Sequence, residues 1–191
     1  AEAEPFRREL AKRGKFDGLG HYNSCTDISA TFDLGCCYAW QYKSGPAIEQ
    51  YEKALRLCHN EHDRSGMLNL VTCNLAVEYH YAGRDTEAIR MFKQSLVRDS
   101  RVGPEYMIEF AQSYVSLKQY SLAEPILINA LRNEELLFAR GFCRPSEFYD
   151  CTRVLLSVYD AEGKSAEVAT VRKKIADYPL TEQGQQKQTR N

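Results

Sequence analysis

The sequence has no surplus of either charge: 25 basic and 26 acidic side chains leave a net charge of −1. A nucleic-acid footprint, which needs basic groups gathered on one face, is therefore not expected. No apolar run approaches the ~18 residues that a bilayer-crossing helix requires, so no membrane span is expected. There is no CxxC pair, which argues against a structural zinc ribbon. Sustained apolar–polar alternation bounded by turn residues is also missing, and with it the signal for strands. Catalytic signatures are absent: no Gly-rich phosphate loop, no GxSxG elbow, no HExxH. The four histidines are scattered without a partnered spacing. Neither an enzyme nor a bound cofactor is expected.

What is present is ordinary for a soluble globular chain, with 43% hydrophobic and 27% charged residues. The 191 residues suffice for one domain with a sizeable core. Seven cysteines are many for this length, and an odd number cannot all pair within one chain. Cys36, Cys37, Cys58, Cys73 and Cys151 fall in helical patterns, where a thiol acts as a small hydrophobe. That usage favours a reducing compartment. The start Ala1-Glu2-Ala3-Glu4-Pro5 lacks methionine and a signal peptide, and reads equally as the mature end of an exported chain, as a processing scar from expression or as an arbitrary boundary. Localisation is left open between a reducing compartment and export. Two basic clusters, Arg7 to Lys15 and Arg172 to Lys174, read either as solvated helix faces or as docking patches for an acidic partner.

The organising feature is a repeated string. Leu34-Gly35-x2-Tyr38 is followed by Ala47-x3-Tyr51-x2-Ala54; Leu75-Ala76-x2-Tyr79 is followed by Ala88-x3-Phe92-x2-Ser95. A third copy reads Phe110, Ala111, Tyr114, Ala123, Leu127, Ala130. A fourth, degraded copy reads Leu155, Leu156, Tyr159, Val168, Arg172, Ile175. Small residues belong where two helices cross closely, and the ring four residues on fills the hollow beside them. Gly83 and Gly163, each eight residues after an anchor, end the first helix of their pairs. Gly45-Pro46, Gly103-Pro104 and Arg144-Pro145 mark helix starts, and Asp85 and Ser165 sit where an N-cap would begin a second helix.

These residues resemble the tetratricopeptide repeat (TPR) family over about residues 28–178. The resemblance implies an all-α fold, a TPR-like right-handed superhelix of stacked antiparallel helix pairs (an α-α solenoid). Repeats are expected at about 28–63, 68–101, 104–141 and 145–178. Residues 1–27 should form a capping element or partial repeat, and the polar stretch 179–191 a disordered tail. Anchor steps of 41, 35 and 45 exceed the family's usual 34, so residues 57–66 and 131–144 are read as lengthened helix ends plus loops. Repeats lengthened in this way are similar to those of kinesin light chains and of some cell-polarity adaptors and bacterial regulators.

In the family, the first helix of each pair lines a concave groove at positions −5, −2, −1, +2, +5 and +6 from the anchor. Carried onto this chain, the resemblance implies a partner-binding groove built from Phe32, Cys36, Trp40, Cys73, Asn74, Val77, Tyr81, Ile108 and Gln112. The family's clamp for the C-terminal carboxylates of chaperones needs Lys and Asn, then Asn, then Lys and Arg. Of these only Asn74 is matched, and Glu105 and Glu109 stand where the last cations belong. Two carboxylates repel an acidic tail, so that role is excluded. The expected role is a scaffold that binds a peptide or helix of another protein, or of a second copy of itself. The alternatives are an oligomerisation or structural module of a larger assembly, and a ligand-responsive regulatory domain. Two chemical readings attach to cysteines. Cys58-His59-x2-His62-Asp63 offers loosely spaced metal ligands, and Cys36 with Cys73 offers a thiol pair on neighbouring groove positions.

Overall fold

The computed structural model describes residues 24–60, 67–99, 102–140 and 145–177. Eight helices are present among the described residues: α1 Ser24–Ala39, α2 Ser44–Asn60, α3 Leu68–Tyr81, α4 Asp85–Arg98, α5 Pro104–Ser116, α6 Tyr120–Ala139, α7 Pro145–Glu162 and α8 Ser165–Asp177. They form two compact units, residues 1–102 and residues 103–191. In the first, α1 packs on α2, α3 on α4, and α2 on α3. In the second, α5 packs on α6, α7 on α8, and α7 also touches both α5 and α6. The expected capping element up to residue 23 and the tail beyond residue 177 lie outside the described residues. Residues 24–27 belong to α1, so the first repeat begins earlier than its string implies.

The repeat register is a burial register. All six string positions are buried in each of the first three repeats, from Leu34 through Ala54, Leu75 through Ser95, and Phe110 through Ala130. The cause is visible at Gly35. A Cβ placed there would lie 2.6 Å from Tyr51 Cε1, so α1 and α2 cross at a distance that only glycine permits against this ring. The second and third repeats relax the same contact by pairing alanine with Phe92 and Leu127. The fourth breaks it: Leu156 is half-buried and Arg172 exposed, leaving Val168 and Val171 as the buried side of α8.

Buried threonines add a position that the string does not contain. Thr31, Thr72 and Thr152 each sit three residues before an anchor. The Thr72 hydroxyl donates to the Leu68 carbonyl at 2.6 Å and Thr152 to the Phe148 carbonyl at 2.9 Å. A buried hydroxyl is thus satisfied within its own helix.

The turns inside the pairs share one hydrogen-bonding pattern. Eight residues after each anchor the backbone turns left-handed, at Tyr42 (φ 55°), Gly83 (72°), Lys118 (57°) and Gly163 (69°). The next residue's N–H reaches back to the carbonyl of the tyrosine four residues past the anchor: Lys43 to Tyr38, Arg84 to Tyr79, Gln119 to Tyr114, Lys164 to Tyr159, all at 2.8–3.0 Å. This is the Schellman arrangement, which normally selects glycine. Glycine marks two of the four turns; Tyr42 and Lys118 hold the same conformation with a Cβ in place, and both side chains lie in solvent. Tyr42→Gly and Lys118→Gly should each stabilise the chain by about 0.5–1 kcal/mol, since strain is relieved and no packing is lost. Urea unfolding checks this; unchanged midpoints in both variants would contradict it.

The remaining start signals divide. Pro104 is the first residue of α5 behind Gly103, and Pro46 falls in the first turn of α2, as expected. Asp85 is not a cap: it is already helical, and its carboxylate meets His80 Nδ1 at 2.6 Å instead. The lengthened second helices are real. α2 continues to Asn60, and α6 runs 20 residues, taking in Leu136, Leu137 and Phe138.

Candidate functional site

A helix advances about 100° per residue, so positions −5, −1, +2 and +6 from an anchor share an arc of about 60° opposite the core. On α1 and the turn residue that follows it these are Ser29, Asp33, Cys36 and Trp40; on α3 they are Leu70, Asn74, Val77 and Tyr81. All eight are exposed or half-buried, giving each first helix of this unit one solvent-facing ridge. The Ser29 hydroxyl lies 3.7 Å from Met67 Sδ, which brings the start of one ridge beside the start of the next helix pair.

Both ridges end on an aromatic side chain in solvent. Trp40 is 78% exposed and Tyr81 60% exposed, at the same position six residues past their anchors. Beside Trp40, the strained turn residue Tyr42 is 96% exposed. Tyr81 is positioned by its neighbours: its ring lies 5.6 Å from the His80 ring, and His80 is tied across the turn to Asp85. The underlying tyrosine, Tyr79, is held harder still. Its hydroxyl donates to Glu52 Oε1 on α2 at 2.8 Å, and the Arg84 guanidinium covers its ring at 4.3 Å. Burial, reinforced by Glu52, pushes the Tyr79 hydroxyl up to about 12. The second unit repeats the motif, with Lys164 over Tyr159 and bonded to Glu124 Oε2 at 2.6 Å.

Two expected groove residues belong to the core. Cys73 is 2% exposed, its sulfur 2.9 Å from Ser95 Oγ on α4, and Ile108 is 4% exposed. Both occupy position −2, which lies on the flank of the arc nearest the helix crossing. Phe32, at the same offset, is half-buried, its ring tilted against that of Tyr51 at 5.6 Å. Asn74 is on the ridge, but its amide donates to the Leu70 carbonyl at 2.9 Å, within its own helix. In the second unit, the α5 ridge is polar and acidic: Glu105, Glu109, Gln112 and Ser116.

The cysteine readings separate in the same way. Cys36 accepts from the Tyr51 hydroxyl at 3.4 Å while Cys73 faces Ser95, so the two thiols have different partners and no disulfide joins them. Cys58 is fully buried in a cluster with Ile28, Ala54 and Val71, whereas His59 beside it is exposed. Their side chains therefore do not converge; His62 and Asp63 lie outside the described residues, as does the basic cluster from Arg7 to Lys15. Among the described residues no group of three or more His, Cys, Asp and Glu side chains is placed to hold a metal. Burial raises the Cys151 thiol to about 12, helped by the nearby Glu134 carboxylate, which leaves it a packing group and not a nucleophile. Arg172, Lys173 and Lys174 are exposed on α8, with Lys174 bridged to Glu135 of α6. No described helix is long and apolar enough to cross a membrane.

No family model matches the sequence, and no curated protein matches it. Solved structures are similar in fold. BtubC (BKLC) from P. vanneervenii matches with a TM-score of 0.78 at 18% identity, over 94% of this chain and 76% of that one. A putative kinesin light chain from Podosopora anserina with nearly identical TPR-like repeats matches with a TM-score of 0.67 at 15% identity, over 100% of this chain and 89% of that one. A point variant of that same protein gives 0.69 at 15%, over 92% and 84%. At these identities the likeness is one of fold: the chain is an all-α protein of TPR-like helical repeats.

Proposed function

We propose that the chain is a non-catalytic interaction scaffold whose first-helix ridges bind a peptide or helix of a partner protein. The TPR-like repeat fold is one that serves protein interaction in general. The observation that carries the proposal is the pair Trp40 and Tyr81, two large aromatic side chains held in solvent at one register position. Exposed Trp and Tyr are the side chains most often found as interface anchors, since they bury much area and lose little rotamer freedom on binding. Leu70, Val77 and Cys36 continue the apolar character along the ridges. The segment that fits is therefore amphipathic or extended, laying apolar residues along the ridges and ending against the two rings.

The test starts from peptides selected from a displayed library on the full chain. Trp40→Ala and Tyr81→Ala should each weaken a selected peptide by about tenfold, roughly 1.4 kcal/mol, without changing helicity. Helicity is safe because neither ring contributes to the buried register. Selected peptides whose affinity is the same for both variants and the wild type would refute the ridge as the binding surface.

A further inference from the structure

The other side of unit 1 carries a surface that the ridge does not use. α4 buries Ala88, Ile89, Met91, Phe92 and Ser95. Its opposite face runs Thr86, Arg90, Lys93, Val97, the spacing of one helical stripe, with Arg98 at its end. With His59 from the end of α2, this stripe lines a groove of about 720 Å³ whose floor is Ile89. The lining holds three permanent cations and a histidine, and no carboxylate among the described residues. In a chain of net charge −1, the lining is thus of one sign, although the Glu87 carboxylate, one helical turn before Arg90, feels that cation from outside the groove. Val97 sits among these cations and is 89% exposed. Its β-branched side chain does nothing for helix propensity there and gains nothing from burial.

We propose that the α4 groove is a second docking site, separate from the first-helix ridges, for an acidic segment of a partner protein that carries an apolar residue among its carboxylates. Charge complementarity selects the sign of the ligand. The apolar floor at Ile89 and the exposed Val97 select a polypeptide over a bare anion, since both need a hydrocarbon partner and inorganic phosphate has none. A single-stranded nucleic acid is the poorer fit, because His59 is the one ring among the described lining residues and no Phe, Tyr or Trp is there for successive bases to stack on. The cations are solvent-exposed, so binding is modest in affinity and falls as salt rises.

A synthetic glutamate-rich helix containing leucine, its glutamine counterpart, and a single-stranded thymidine oligonucleotide of matched charge serve as probes, titrated against the full chain by fluorescence anisotropy. The glutamate peptide should bind at low salt, the glutamine peptide at least about tenfold more weakly, and Val97→Ser should weaken the glutamate peptide several-fold. The charge-reversed R90E/K93E/R98E chain should lose the glutamate peptide by more than about tenfold, and the milder R90Q/K93Q/R98Q chain should lose it in part. Trp40→Ala should leave it unchanged, which keeps this site's outcome separate from that of the ridge. Equal binding of the two peptides, or of the peptide by wild-type and R90Q/K93Q/R98Q chains, overturns the proposal. Tighter binding of the oligonucleotide at the same residues overturns it in favour of a nucleic-acid surface.

Discussion

Replacing Gly35 by alanine should destabilise the chain by about 1–3 kcal/mol, and by valine more, although glycine to alanine inside a helix ordinarily gains about 1 kcal/mol. The sign reverses because the new Cβ would meet Tyr51 Cε1 and Cδ1 at 2.6 and 2.7 Å. That ring has little room to yield. Tyr51 is 1% exposed, packed against the tilted ring of Phe32 and hydrogen-bonded to Cys36. The repeats themselves supply the control. Repeat three pairs Ala111 with Leu127 at the same offsets, both fully buried. Gly35→Ala combined with Tyr51→Leu should therefore cost less than the sum of its parts in a double-mutant cycle. Urea midpoints of the four chains measure this. A stabilising Gly35→Ala would mean that α1 and α2 do not approach as closely as described.

Phe92→Ala should cost about 3–5 kcal/mol, the range for truncating a large aromatic in a core. Phe92 is 1% exposed and stands seventeen residues past its anchor, where Tyr51 and Leu127 stand in their own repeats. Removing it leaves α3 and α4 without the group that fills their crossing. Whole-domain stabilities are about 5–15 kcal/mol, so the loss is a large share of what holds the fold. Circular dichroism should show a much lower melting temperature, and amide exchange should accelerate along α3 and α4. A loss below about 1 kcal/mol would show that this register position is not a core position.

The register was legible because few spacings satisfy it. A small residue at the crossing and a ring filling the adjacent space fix the offsets, and burial of every string position in the first three repeats follows. The degraded fourth string was legible for the same reason, Arg172 being unable to occupy a crossing and lying exposed. The groove was less legible. A rule of offsets treats a helix face as sharp-edged, whereas position −2 lies on its flank, and there the size of the opposing side chain decides burial. Cys73 meets small Ser95 and sinks, while Phe32 remains half-buried against Tyr51. The α4 groove left one trace in the sequence, Val97 out of phase with the apolar period of its helix, and a lone valine is a weak trace. Asp85 looked like a cap because caps and first-turn acids draw on the same residue types; its bond to His80 spans the turn between α3 and α4.

The four left-handed turns have a consequence for how such a chain can vary. Their shape is set by backbone hydrogen bonds to the preceding tyrosine's carbonyl, and so is independent of which side chain stands at the bend. That side chain projects from a fixed frame, in contact with nothing that must be repacked when it changes. The bend is thus a display position: a phenol in one repeat, an ammonium in another, bare backbone in two. Surface chemistry can be rewritten there repeat by repeat, while the helices beneath keep a single architecture.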